Sequence, residues 1–262
     1  MSGENTSENL DGRKIFFLYP TASIQNQIIS ELAQQEYEVY AAKDHARLAR
    51  TLKKFPDSIV FVNIDEQISE SESKSKSEWE KWIANLLTAL PDVKIGCFSS
   101  SSDEELKNKY INKLHVSCVF MGLKVDMTKV VDQVLEALRV IDAKGRRKYL
   151  RASVEREANA TMNIPLDGEF LNGTVKDISI VGISCVFEHD PNFKKNSLYK
   201  NIQIKLQSVL LKVEAVVFGS RESEGQKVYV LLFTQRVDPE TRAKIRRYVQ
   251  QSLQAKMDHI IN

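Results

Sequence analysis

The chain has 262 residues, 42% of them hydrophobic and 27% charged; this is the balance of a folded protein, not a disordered one, and the length suggests two domains. A formal net charge of +2 excludes a general electrostatic attraction to nucleic acid or anionic lipid, so any anion binding has to be local. No stretch is apolar for long enough to cross a bilayer, and the polar N-terminus Met1-Ser2-Gly3-Glu4-Asn5 lacks the pattern of a signal peptide, so the expected location is the cytoplasm.

Residues 1–13 read as a disordered polar tail. The apolar block Lys14-Ile15-Phe16-Phe17-Leu18-Tyr19 then has the form of a strand covered on both faces, and Ile24, Ile28, Ile29 and Leu32 follow at helical spacing behind Thr21. Glu38 to Ala41 reads as a second strand, and Ala46, Leu48, Leu52 and Phe55 mark a second helix stopped by Pro56. Buried-type strands recur at Ser58 to Ile64, Val93 to Phe98 and Val116 to Met121. Helices are expected around Trp79 to Leu90, around Leu106, Tyr110 and Leu114, and from Val130 to Ile141. The string Ser69 to Ser77, with only serine, glutamate and lysine, predicts a mobile loop, with phosphorylation as a minor reading. Strand and helix alternating through five repeats predict a doubly wound, mostly parallel α/β domain over 14–143.

The character changes near Gly145. Residues 144–152 read as a linker carrying the basic cluster Arg146-Arg147-Lys148. Short β-type segments follow at Ala158 to Ile164, Gly173 to Ile180, Ile183 to Phe187, Ile202 to Leu206, Leu210 to Phe218 and Val228 to Phe233. They predict a small antiparallel β-barrel over 153–262, closed by a helix that starts at Pro239 and turns Ile245, Tyr248, Val249 and Leu253 inward. Cys97, Cys118 and Cys185 lie in apolar runs without metal-ligand spacing and read as core residues. His45, His115, His189 and His259 are scattered and form no catalytic or metal group.

In its strand and helix order, the segment from Lys14 to Ile141 resembles the receiver domains of two-component signalling. Active receivers hold magnesium and phosphate on a carboxylate cluster. Here Tyr19-Pro20 stands where the acidic pair belongs and Asn63 at the place of the phosphoacceptor, with Asp65 beyond the strand end. Lys124 and Ser99 or Ser100 correspond to the family's lysine and switch hydroxyl. The resemblance therefore implies a degenerate receiver used for contact with an unidentified protein partner, without metal.

Two motifs carry a second resemblance. Arg147-Lys148-Tyr149-Leu150-Arg151 has the form RxxxR, with Arg146 directly ahead, and Asp177-Ile178-Ser179-Ile180-Val181-Gly182 has the form DxSxxG. Arginine forks fit phosphate oxygens or the O6/N7 edge of guanine, and Asp177 and Ser179, alternating on a strand, share a face while Ile178 turns inward. Gly182 permits a tight turn and close backbone approach. Together, and in this order, the motifs resemble the PilZ family. The resemblance implies a receptor for cyclic di-GMP, with Arg146, Arg147 and Arg151 as ligand clamps, Asp177 and Ser179 as base and phosphate contacts, and Gly182 as a permissive backbone position. It also implies outputs in motility, biofilm or virulence, with no cofactor beyond the ligand. Tyr149 is a candidate to stack on a base or to anchor the linker, and Arg221 and the basic stretch Arg242 to Arg247 are further candidates for ligand or partner contact.

The alternatives are a response regulator whose barrel binds nothing and a nucleic-acid-binding protein, the latter disfavoured by the near-neutral charge. No nucleophile and base pair, metal cluster or phosphate-cradling glycine loop suggests an enzyme.

Overall fold

An apolar run with no polar alternation is satisfied only where both faces of the strand are covered, and the first such run forms β1 (Ile15–Leu18), every residue of which is buried. The computed structural model describes residues 12–114, 116, 120–122, 126–154, 160–166 and 168–261. It divides into two compact units, one of residues up to Lys148 together with Gln254 onward, the other Tyr149–Leu253.

In the first unit a π-helical segment, Ile24–Ile29, runs into α1 (Ser30–Gln34), and the Ile24 N–H donates to Thr21 Oγ1 at 3.3 Å at its start. There follow β2 (Val39–Ala42), α2 (His45–Leu52), β3 (Ile59–Asn63), α3 (Glu72–Ala89), β4 (Lys94–Ser99) and α4 (Glu104–Asn108) with a π-helical continuation, Lys109–Lys113. The unit ends with β5 (Phe120–Gly122) and α5 (Met127–Val140). The strands pair in parallel in the order β2-β1-β3-β4-β5, the order of receiver domains and other doubly wound sheets. Phe17, Phe61 and Phe98 from the three central strands stack at 5.1 to 6.0 Å between ring centroids, packed with Ile24, Ile28, Leu32, Val134 and Leu138 from the helices.

Two expectations need correction here. Within the expected loop Ser69 to Ser77, α3 begins at Glu72: the Ser71 hydroxyl caps it by accepting from Lys74 N, and Glu70–Lys74 and Glu72–Lys76 form ion pairs at 2.6 and 2.7 Å. Ser75 is buried, and its Oγ accepts from the N–H groups of Ile68 and Ser69 at 3.1 and 3.0 Å. Serine, glutamate and lysine here supply a cap and i,i+4 pairs, which hold a helix without apolar periodicity. The expected disordered tail also ends earlier, because Arg13 N donates to Ala143 O at 2.9 Å. Residues 1–11 of that tail, His115, Cys118 and Lys124 lie outside the described residues.

The second unit is built of β6 (Ala152–Ser153), β7 (Thr161–Leu166), β8 (Glu169–Ser179), β9 (Gly182–Phe187), β10 (Leu198–Leu206), β11 (Val209–Ser223) and β12 (Gln226–Phe233), followed by α6 (Pro239–Ile261). The part of α6 from Gln254 on groups with the first unit. Antiparallel pairing runs β8-β7-β10-β11-β12-β9 and returns from β9 to β8, so six strands close a ring, with β6 added on β8. The core is lined alternately, as by Ile202, Ile204 and Leu206 on β10 and Leu211, Val213, Ala215 and Val217 on β11. Ile245, Tyr248 and Val249 of α6 join it. The β11–β12 hairpin turns through Glu224 and Gly225, both at positive φ (52° and 73°), the type I′ geometry that asks for glycine. Tyr229 and Asp190 tie the long β9–β10 connection to the barrel: the Tyr229 hydroxyl and Lys227 Nζ donate to the Asp190 carboxylate, and Phe193 packs against Phe187, Tyr199 and Tyr229.

Candidate ligand-binding site

The DxSxxG motif occupies the end of β8 and its turn into β9. Pairing between these strands slips between Val175 and Asp177, so Lys176 is the extra residue of a β-bulge. The slip resets the alternation: Val175 and Ile178, three apart, both face the core, while Lys176 and Asp177 are half-exposed. Ser184 lies across from Asp177 on β9, and its hydroxyl donates to Asp177 Oδ2 at 2.5 Å. The carboxylate is thereby oriented before any ligand arrives. On the inner side, burial is the main cause that pushes the Cys185 thiol up to about 12, with the Asp177 charge adding to it, so this cysteine is a core residue.

Ser179 sits inside the turn, only 4% exposed. Its hydroxyl donates to Gly182 O at 3.3 Å and accepts from Val181 N at 3.4 Å. The hydroxyl expected to contact phosphate is thus engaged in holding the turn. Gly182 has no positive φ; what requires glycine is space, since a Cβ there would stand 2.3 Å from Leu231 O of β12. Backbone comes close at Gly182, and the approaching backbone is the barrel's own.

The RxxxR segment reaches this place through β6. Ala152 pairs with Ile178 and Ser153 with Asp177, and Val154 N donates to Lys176 O at 2.8 Å. Arg151, Ala152, Ser153 and Val154 alternate exposed, buried, exposed, buried, so Arg151 leaves the strand on its solvent side one residue before the pair with Ile178. Tyr149 and Leu150 are half-buried and pack against the barrel core, which gives Tyr149 the anchoring role. Arg146 and Arg147 precede them and are exposed. The structure thus brings Arg151, Asp177, Ser179 and Gly182 to one end of β8.

Two residues escaped the sequence reading. Ser184 carries no motif signal; only its register opposite Asp177 marks it. Arg242, expected at most to meet a ligand or partner, instead donates to three main-chain carbonyls, among them Ile180 O of the β8–β9 turn. Arg221 and Arg247 are exposed.

In the first unit, the place of the phosphoacceptor is filled by a structural amide. Asn63 is 5% exposed; its Nδ2 donates to Tyr19 O at 3.0 Å and its Oδ1 accepts from Asp65 N at 3.3 Å. Asp65 in turn accepts from Ser99 Oγ at 2.7 Å and from Ser100 N at 2.5 Å. Tyr19, His45, Trp79 and Trp82 form an aromatic cluster in which Trp79 meets the other three edge to face, with Tyr19 Oη and His45 Nδ1 3.1 Å apart. Among the described residues, no three of His, Cys, Asp and Glu lie together in a way that would hold a metal ion, and no helix is long and apolar enough to cross a membrane.

No curated protein matches the chain in sequence. Among solved structures, the PilZ domain of YcgR from Escherichia coli, solved with c-di-GMP, is similar at 17% identity, covering 44% of this chain and 95% of that one with a TM-score of 0.38. The MrkH–c-di-GMP complex of K. pneumonia is similar at 21% identity, covering 44% of this chain and 57% of that one with a TM-score of 0.37. A signal receiver domain of an HD domain-containing protein from Pseudomonas fluorescens is similar at 14% identity over 50% of this chain and 90% of that one, TM-score 0.40. The family profile of the PilZ domain matches residues 145–251, which span both motifs, the closed ring and most of the helix behind it. The segment from Gly145 to Gln251 is therefore a PilZ domain.

Proposed function

We propose that the chain is a cytoplasmic receptor for cyclic di-GMP and not an enzyme, with Arg146, Arg147 and Arg151 as clamps and Asp177 as the acceptor for a guanine edge. The observation that carries this reading is the pairing of β6 with β8. It sets the residue after Arg151 beside Ile178, so one end of the RxxxR segment and the DxSxxG turn belong to the same edge of the barrel. The chemistry is complementary. A guanidinium offers a rigid fork of donors to phosphate oxygens or to guanine O6 and N7, and a carboxylate held by Ser184 can accept from guanine N1 and N2. Ser179 and Gly182 take part by fixing the turn on which Asp177 stands.

The ligand draws the linker arginines onto the barrel and changes the freedom between the two domains; the receiver-like domain then presents the result to a protein partner. Motility, biofilm or virulence is the kind of output that the resemblance to PilZ proteins suggests.

Isothermal titration of the full chain with cyclic di-GMP, against GTP and cyclic di-AMP as controls, tests the reading. Saturable binding selective for cyclic di-GMP is expected, and no heat at any concentration would overturn it. Small-angle scattering with and without ligand tests the rearrangement; superimposable curves at saturation would remove it.

A further inference from the structure

The turn that joins Ser179 to Gly182 is held from the helix behind the barrel. Arg242 stands in the first turn of α6, and its guanidinium spreads over three carbonyl oxygens from two segments, the β8–β9 turn and the β12–α6 connection. Nη1 donates to Ile180 O at 3.0 Å, Nη2 to Thr234 O at 2.8 Å, and Nε to Val237 O at 3.3 Å. Ile180 is the middle of the DxSxxG motif, Thr234 follows β12, and Val237 leads into α6. The helix end that presents Arg242 is itself fixed. Asp238 caps it, accepting from Thr241 N at 2.8 Å, and Arg242 N donates to Asp238 O at 3.1 Å, while Ile245 one turn on is fully buried in the barrel core.

A second tie runs from the same turn to β12, where Phe233 N donates to Val181 O at 2.9 Å. Both residues between Ser179 and Gly182 therefore have their carbonyls held, Ile180 by α6 and Val181 by the end of β12. Only arginine can do this, because its donors lie in one plane at fixed angles; a lysine is a single point that cannot span three separate carbonyls. The acceptors are neutral, so the cation keeps its charge beside the turn, where a phosphate would gain from it.

We infer that Arg242 is a positioning residue for the ligand site, and that the start of α6 is the element that senses occupancy of the turn. This rests on the cyclic di-GMP reading given above. A ligand that engages Asp177 or the main chain between Ser179 and Gly182 loads a turn whose central carbonyl is bonded to α6, so a shift of the turn is passed to the helix through one side chain. Coupling of this kind is reciprocal: what the helix does to Arg242 changes the affinity of the turn.

The test uses the full chain and its Arg242→Lys and Arg242→Met variants. Each is titrated calorimetrically with cyclic di-GMP at a temperature where circular dichroism shows it fully folded, and hydrogen exchange is followed with and without ligand. The expected result is a loss of affinity of about tenfold or more in both folded variants. Ligand protection of the amides in the first two turns of α6 is expected in the wild type and not in the variants. A merely structural arginine would lower the melting temperature and leave the affinity below it unchanged. Wild-type affinity in the folded variants, or protection that stops at residue 182, overturns the inference while the receptor reading stands. If the wild-type chain itself does not bind cyclic di-GMP, both fall together. Should Arg242→Met fail to fold, Arg242→Lys decides.

Discussion

Replacing Gly182 by alanine isolates what this glycine does for the barrel. The added methyl would lie 2.3 Å from Leu231 O and 3.2 Å from Leu231 C and Leu232 Cα, where real Cβ atoms keep at least 3.0 Å from any neighbour. The obstacle is main chain inside a ladder that pairs Gly182 with Leu232 and Ile183 with Leu231, so no rotamer change relieves it and β9 and β12 have to part. Overpacking of this kind costs about 1–3 kcal/mol, and a rigid backbone contact belongs at the upper end, about 3 kcal/mol. For a domain of this size each kcal/mol is worth about 4–8 °C, so the barrel should melt roughly 12–24 °C lower. Hydrogen exchange of β9 and β12 amides reports the barrel. The fluorescence of Trp79 and Trp82, the chain's two tryptophans, both in the first unit, should hold its own transition. Unchanged β9 and β12 protection in Gly182→Ala would refute the steric argument and return the glycine to a role toward ligand alone.

Replacing Arg147 or Arg151 by alanine should weaken cyclic di-GMP binding by about 1.5–3 kcal/mol, roughly 10- to 150-fold, as for a charge-assisted hydrogen bond; calorimetry with undiminished affinity in both variants removes the clamp. Hydrogen bonds from Tyr229 and then Lys227 hold the Asp190 carboxyl down at about 2. Because this folded value lies below the unfolded one near 3.9, the contribution is present above the unfolded value and lost as pH falls through about 2. Asp190→Asn should therefore melt below wild type at pH 6, and the gap should close toward pH 2; a gap independent of pH contradicts the assignment. Removing the cap with Ser71→Ala should cost about 1 kcal/mol, read from the tryptophan transition. Acetyl phosphate with magnesium should leave the chain unlabelled, since Asn63 holds the acceptor place and Asp65 is bonded to Ser99 and Ser100; stoichiometric labelling would restore the response-regulator reading.

Much of the fold was legible because burial on both faces writes itself into the chain as unbroken apolar runs: β1, β3 and β4 were such runs, and the strands of the barrel alternated between their turn signals. What misled was chemistry that leaves no hydropathy trace. The stretch around Ser71 to Lys76 is held by a cap and charge pairs, so an apolar count saw only a loop. The two-residue β6 is too short to show any period, yet it is the element that joins the two motifs. At the site, the motifs located Asp177 and Arg151, but the bulge at Lys176 and the register that makes Ser184 a partner of Asp177 depend on pairing with a strand elsewhere in the sequence. Arg242 read only as one cation of a basic stretch open to ligand or partner, since nothing local shows that the distant Ile180 carbonyl meets it beside those of Thr234 and Val237.

Because Arg151 continues the in-and-out alternation of β6, its direction is set by parity. One residue inserted between Arg151 and Ala152 would leave the paired strand in place and turn the arginine toward the core side. The spacing of the clamp is therefore strict at its carboxyl end. Whatever precedes it, the last arginine is counted from the barrel.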